Sequence, residues 1–204
     1  MKVAIVGGTG AFGRALAKRL QELGNDEVSV GSRDAERARA TASELGVAGG
    51  LNEEVVRDAD LVILAVKSNA TLETAKALSS AIGKTPVLCV ASDLRFSPEG
   101  VLPGKHQGSL AEEVARLVRA PVASGLQSFA AANLADGDPG DALVCGPDGI
   151  AKELSLELAG RLGSRAIDAG PLENSRALEG MTSVILNVNR RYKAHAGLRL
   201  TGLS

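Results

Sequence analysis

An apolar run, Lys2-Val3-Ala4-Ile5-Val6, passes directly into Gly7-Gly8-Thr9-Gly10-Ala11-Phe12-Gly13, and this junction constrains the fold more than any other part of the 204 residues. A helical pattern follows from Arg14 to Leu23, then a second strand-like run from Glu27 to Gly31. Gly8, Gly10 and Gly13 have the G-x-G-x-x-G spacing. In a strand–turn–helix unit the first glycine permits the tight turn, the second lets the backbone approach a pyrophosphate, and the third lets helix and strand pack closely. A helix starting near Ala11 would aim its free N–H groups and positive dipole end at phosphates. The pattern therefore predicts a dinucleotide site.

The end of the second strand selects the dinucleotide. An acid there accepts from the ribose 2′-OH of NAD, whereas an arginine accommodates a 2′-phosphate. Arg33 occupies the place, Ser32 offers a hydroxyl, and Arg37 lies one helical turn further on the same face. Thr9 sits in the turn facing them. Guanidinium groups pair bidentately with phosphate oxygens, so the sequence predicts NADP(H). Asp34 opposes that reading by charge but also fits the N-cap of a helix from Ala35 to Leu45.

The net charge of −1 gives no support to a nucleic-acid or anionic-membrane partner. Aromatic residues make up 2% of the chain and Trp is absent, so the core must be aliphatic and no row of rings exists for base stacking. Cys89 and Cys145 each lie inside Val/Leu runs and read as buried apolar residues. His106 and His195 show no metal-ligand spacing. No basic and apolar leader precedes the first strand, and no apolar run approaches membrane-spanning length. The expectation is a soluble, cytoplasmic protein without a metal.

Apolar runs alternate with helical patterns, which predicts an α/β fold: a Rossmann-like, doubly wound, mostly parallel sheet. Expected strands are Val3–Val6, Glu27–Gly31, Leu61–Ala65, Pro86–Val90, Pro121–Ser124, Ala142–Cys145 and Arg165–Asp168. Expected helices are Ala11–Leu23, Ala35–Leu45, Asn52–Asp58, Ala70–Ile82, Ser109–Leu117, Gly149–Leu162 and Leu172–Arg191. Asp148 is a candidate N-cap for the sixth helix, and Gly163 suits its end. The stretch Ser92 to Gly108, rich in Gly, Pro and Ser, reads as a long loop, mobile or functional. Ligands bind beyond the carboxyl ends of strands in such sheets. Val66-Lys67-Ser68-Asn69, Ala91-Ser92-Asp93-Leu94 and Gly125 to Ala132 are therefore expected to line the site. From Ser175 to Val188, Leu178, Met181, Val184, Ile185 and Val188 form one helical face, suited to the sheet or to a second subunit. Beyond Glu179 only basic residues occur among the charged ones, either as a positive field for an anionic ligand or as a solvated tail.

Gly7-Gly8-Thr9-Gly10 through Gly31-Ser32-Arg33, Val144-Cys145-Gly146, Asp168-Ala169-Gly170-Pro171-Leu172-Glu173-Asn174-Ser175-Arg176, Leu186-Asn187 and Gly197-Leu198-Arg199-Leu200 together resemble the NADPH-dependent coenzyme F420 reductases. The resemblance spans nearly the whole chain. It implies one NADP-binding domain over residues 1–204 with a small helical annex at about 171–204, a homodimer, and hydride transfer between nicotinamide C4 and deazaflavin C5. It also implies site residues. Gly8, Thr9, Gly10, Ala11, Phe12 and Gly13 would serve the pyrophosphate, and Ser32, Arg33 and Arg37 the 2′-phosphate. Ser68, Leu72, Leu94 and Ala131 would line the groove toward the nicotinamide. The deazaflavin would stack near Gln127, Phe129 and Leu198, with Gln127 donating to a ring carbonyl. No acid or base is required, because the protein supplies stacking and distance.

Two segments depart from the family pattern. After the strand Leu61–Ala65 the family carries Pro, an aromatic, Glu and His, where this chain has Lys67, Ser68, Asn69 and Ala70. In the next wall His-Thr-x-Pro-Ala is replaced by Gln127-Ser128-Phe129-Ala130-Ala131. Three functions are compatible with the sequence: an NADP:F420 oxidoreductase, an NADPH-dependent reductase acting on a flavin or another small acceptor, and a non-catalytic NADP(H)-binding module.

Overall fold

The computed structural model describes residues 1–204 apart from His106, Gly137, Asp138, Ser164 and Ser204. Of the two histidines, His106 thus lies outside the described residues. In chain order the elements are β1 (Lys2–Val6), α1 (Ala11–Leu23), β2 (Glu27–Ser32), α2 (Ala35–Leu45), β3 (Ala48–Leu51), α3 (Asn52–Val55), β4 (Leu61–Leu64), α4 (Ser68–Ile82) and β5 (Val87–Cys89). They continue with β6 (Leu94–Ser97), β7 (Gly100–Pro103), α5 (Leu110–Leu117), β8 (Val122–Gly125), α6 (Ala131–Asp136), β9 (Ala142–Cys145), α7 (Ile150–Leu162), β10 (Ala166–Asp168), a 3-10 turn (Leu172–Asn174) and α8 (Ser175–Tyr192).

The eight-stranded sheet has the order β10-β9-β8-β5-β4-β1-β2-β3. Only the β8–β9 pair is antiparallel, which makes the sheet mostly parallel as expected. Val3–Val6, Leu61–Leu64 and Val87–Cys89 are buried without alternation, because helices cover both faces of these central strands. On one face Leu16 and Leu20 of α1 and Leu158 and Leu162 of α7 pack on Val3, Ile5 and Ile63. On the other, Leu78 and Ile82 of α4 and Leu110 and Val114 of α5 pack on Val6, Val62 and Val87. Cys89 and Cys145 are buried and unpaired, and burial pushes both thiols up to about 12, so they act as small apolar side chains.

Local chemistry sets the helix ends. Asp34 Oδ1 accepts from the Arg37 N–H at 3.1 Å and caps α2, as the sequence predicts. Ser109 caps α5 in a reciprocal box with Glu112. Asp148 does not cap α7. Gly149 holds that position, and Asp148 instead pairs with Lys152 Nζ at 2.6 Å. Gly163 ends the helix.

Several elements depart from the sequence expectations, which ran α3 on to Asp58 and did not include the short helix α6. The edge strand β3, Ala-Gly-Gly-Leu, has no β-branched residue to announce it. Its glycines are steric: a Cβ at Gly49 would lie 2.6 Å from the Ala42 Cβ. The stretch 92–108, expected as a loop, contains the antiparallel hairpin β6–β7. Asn187 of α8 holds this hairpin as a strand would, accepting from the Val101 N–H at 2.9 Å and donating to the Val101 carbonyl at 2.6 Å. The expected helix Leu172–Arg191 opens as a 3-10 turn and becomes α-helical at Ser175. Among the described residues no helix is long and apolar enough to cross a membrane.

Candidate active site

β1 and β4 end side by side, with Val6 opposite Leu64, so their following turns leave the sheet in step. Gly7 has φ +83°, which favours glycine, and a Cβ there would sit 2.8 Å from the Ala65 carbonyl oxygen. A Cβ at Gly8 would lie 2.7 Å from the Val30 Cβ, and one at Gly13 would lie 2.6 Å from the Gly7 oxygen. Glycine at these positions is therefore a packing requirement. Gly10 differs: its Cβ direction is nearly open, meeting only the Gly7 oxygen at 3.3 Å. Gly10 is also the N-cap of α1, whose first turn carries no acid. The open face over Gly10 and the helix start is a cradle of the shape an anionic group needs.

A cavity of about 520 Å³ extends from this turn. Thr9, Gly10, Ser32, Arg33 and Arg37 line it on one side, and Ala65, Val66, Lys67 and Asn69 on the other. An adjoining cavity of about 330 Å³ shares Ser32, Arg33, Asn52, Glu73 and Thr74 and ends on Ala77 and Leu78. Arg37 Nη2 reaches the Thr9 carbonyl at 3.5 Å, so the second helix leans over the glycine turn. Among the described residues Arg33 forms no ion pair. The residues present fit a dinucleotide with a 2′-phosphate: a cradle that side chains would fill, followed by two guanidinium groups. Asn52, Glu73 and Thr74 escaped the sequence reading. Asn52 sits so close above Gly31 that a Cβ there would meet its Oδ1 at 2.6 Å, and no local motif signals that approach.

Ala11 and Phe12 open α1, with Ala11 exposed and Phe12 packed against the core. Ser68 and Leu72 lie on α4, where Leu72 packs against the core beneath the helix. Leu94 begins the hairpin, and Ala131 begins α6.

The acceptor side requires two corrections. Phe129 is 6% exposed and belongs to the core, its ring end 3.0 Å from where a Gly163 Cβ would be. It packs rather than stacks on a ligand. Gln127 is also 6% exposed, and its Nε2 already donates to the Cys89 carbonyl at 3.3 Å and the Ser124 hydroxyl at 2.8 Å. Because a carbonyl can only accept, Cys89 fixes the orientation of the amide. Gln127 therefore has no amide donor to spare, and its buried Oε1 is without a partner. Leu198 is half-buried against Leu143, Cys145 and Leu178, and its carbonyl accepts from the Asp141 N–H at 2.7 Å.

Behind these loops α8 acts as a brace. Thr182 Oγ1 bonds the Ser92 hydroxyl at 2.9 Å and donates to the Gln127 carbonyl at 3.1 Å. Glu179 accepts from the Asp93 N–H at 3.1 Å and the Ala111 N–H at 3.3 Å, and burial pushes its carboxyl up to about 7. Arg176 forks onto Glu112 at 2.6 and 2.7 Å and holds that carboxyl down at about 2. The run 168–176 is structural in the same way: Asp168 accepts from the Gly170 N–H, Asn174 donates to the Ala169 carbonyl, and Ser175 bonds Ser109.

A glycine turn at the end of β1, followed by paired arginines at the end of β2, defines a Rossmann-like protein of the NADP-binding class. A sequence model of the family described as NADP oxidoreductase coenzyme F420-dependent matches residues 2–91. The F420-dependent NADP reductase of Methanocaldococcus jannaschii is 35% identical over 224 residues, covering 100% of this chain and 99% of that protein. The F420-dependent NADP reductase of Methanothermobacter marburgensis is 35% identical over 228 residues, covering 100% and 99%. A crystal structure from Arthrobacter sp. FB24, provisionally assigned as an F420-dependent NADP-reductase, superposes with a TM-score of 0.85 at 24% identity, covering 99% of this chain and all of that one. The chain belongs to the F420-dependent NADP reductase family.

Proposed function

We propose that this protein transfers a hydride between NADP(H) and coenzyme F420. The observation that carries the reading is the end-to-end alignment with F420-dependent NADP reductases of a chain whose cleft fits NADP. Gly8, Thr9, Gly10, Ala11, Phe12 and Gly13 form the pyrophosphate cradle, and Ser32, Arg33 and Arg37 take the 2′-phosphate. Ser68, Leu72, Leu94 and Ala131 border the groove toward the nicotinamide, and Gln127 and Leu198 border the acceptor. When bound, the dinucleotide supplies the hydride and the deazaflavin accepts it. The chain binds the two ring systems, orients them and excludes water, with the loops that follow β5 and β8 held by α8.

The test is catalytic. Purified protein, NADPH and oxidised F420 are mixed in a stopped-flow cell while the deazaflavin absorbance is followed. Loss of the band at catalytic protein concentration supports the reading. An unchanged band, with NADPH binding verified in parallel, sinks it and directs the search to flavins and small carbonyl or imine acceptors.

The protein is further proposed to work in the cytoplasm as one NADP-binding domain with an annex from about residue 171, and as a homodimer. Val184 (59% exposed), Val188 and Tyr192 repeat every four residues on α8, and Phe96 of the adjacent hairpin is 74% exposed. Such a patch on a chain this short is suited to a self-complementary contact. Sedimentation should give a dimer that Val184→Asp with Val188→Asp converts to a folded monomer. A monomeric wild-type protein at micromolar concentration contradicts this assembly.

A further inference from the structure

We propose that Lys67 is a phosphate ligand of the dinucleotide site, reaching the pyrophosphate from the wall opposite Arg33 and Arg37. The inference rests on the NADP reading of the cleft. Lys67 is exposed at the N-cap position of α4 and lines the 520 Å³ cavity together with Gly7, Thr9, Gly10, Arg33 and Arg37. The chain before it is held tightly against the glycine turn, since a Cβ at Gly7 would lie 2.8 Å from both the Ala65 oxygen and Val66 Cγ1. The aliphatic stem of Lys67 therefore starts at the lip of that turn.

Its charge is uncommitted. Among the described residues Lys67 forms no ion pair, and its side chain makes no cap hydrogen bond. The first turns of α1 and α4 contain no acid to compete for it, and among the described residues Glu73 is the one carboxylate on the cavity wall. Arg33 and Arg37 both follow β2 and serve the far end of the nucleotide. Without Lys67 the pyrophosphate would meet backbone N–H groups, a helix dipole and neutral side chains such as Thr9 and Asn69, but no formal positive charge. A flexible ammonium at the lip adds a formal charge there.

The experiment separates the two anionic ends of the ligand. NADPH, and 2′-AMP as a fragment that keeps the 2′-phosphate and lacks the pyrophosphate, are titrated calorimetrically against wild type, Lys67→Gln and Lys67→Arg. Lys67→Gln should weaken NADPH about tenfold, one charge-assisted contact, while leaving 2′-AMP unchanged. Lys67→Arg should restore most of the NADPH affinity. The deficit should shrink as salt is raised, because exposed charges are screened. Unchanged NADPH affinity overturns the proposal, including the case in which only the KM for the acceptor rises. An equal loss for 2′-AMP also overturns it, since Lys67 would then read the other phosphate.

Discussion

Arg33→Glu is expected to weaken NADPH binding by roughly ten- to a hundred-fold while sparing NADH, the loss of one charge-assisted phosphate contact worth about 1.5–3 kcal/mol. The replacement also places a carboxylate where it accepts from a ribose 2′-hydroxyl, which favours the unphosphorylated dinucleotide. The fold should not notice, because Arg33 is exposed and forms no ion pair among the described residues. Parallel titrations of NADPH and NADH, with a melting curve for each protein, check this. Equal NADPH affinity in wild type and variant would remove Arg33 from the 2′-phosphate site. A lowered Tm would mean that Arg33 has a structural role which its exposure does not reveal.

The second large effect concerns the turn. Gly13→Val places a Cβ 2.6 Å from the Gly7 oxygen and 2.9 Å from the Gly8 Cα, both backbone atoms. Neither can retreat, since Gly7 abuts Ala65 and Gly8 abuts Val30. The start of α1 must move outward, at an overpacking cost of about 1–3 kcal/mol. Phosphate contacts at the helix N-terminus are lost with that movement, so NADPH affinity should fall about a hundredfold or more. Gly10→Ala makes the contrast. A methyl there meets only the Gly7 oxygen at 3.3 Å, so stability should be nearly kept while dinucleotide binding drops. Two variants that both bind normally would rule out the cradle described for this turn.

The nucleotide half of the proposed site can be argued from sequence because its requirements are local. A tight turn needs glycine, a phosphate needs a cation, and both requirements fall on consecutive residues of one strand–turn–helix–strand unit. The acceptor half depends on tertiary contacts that spacing does not encode. Phe129 lies in a segment of small residues that predicts a ligand wall. Its ring nevertheless turns into the core, because β9 and the start of β10 leave an aliphatic recess beside Gly163. The donor capacity of Gln127 is consumed by a carbonyl on β5, a neighbour 38 residues away. The hairpin β6–β7 was hidden for a related reason. Its Gly- and Pro-rich sequence reads as loop, and its partner, Asn187, comes from α8 86 residues later. The run 168–176, which carries part of the resemblance, forms a junction of hydrogen bonds between β10 and α8.

Hydride passage from NADPH to a deazaflavin leaves an isotopic signature. The most direct measurement is a single turnover in ordinary water with NADPH deuterated at nicotinamide C4, followed by NMR of the reduced F420. Direct transfer puts deuterium at C5 of the deazaflavin from one labelled face of the nicotinamide. Reduced F420 carrying only solvent hydrogen at C5 with either label, or no reduced F420 at all, would contradict it.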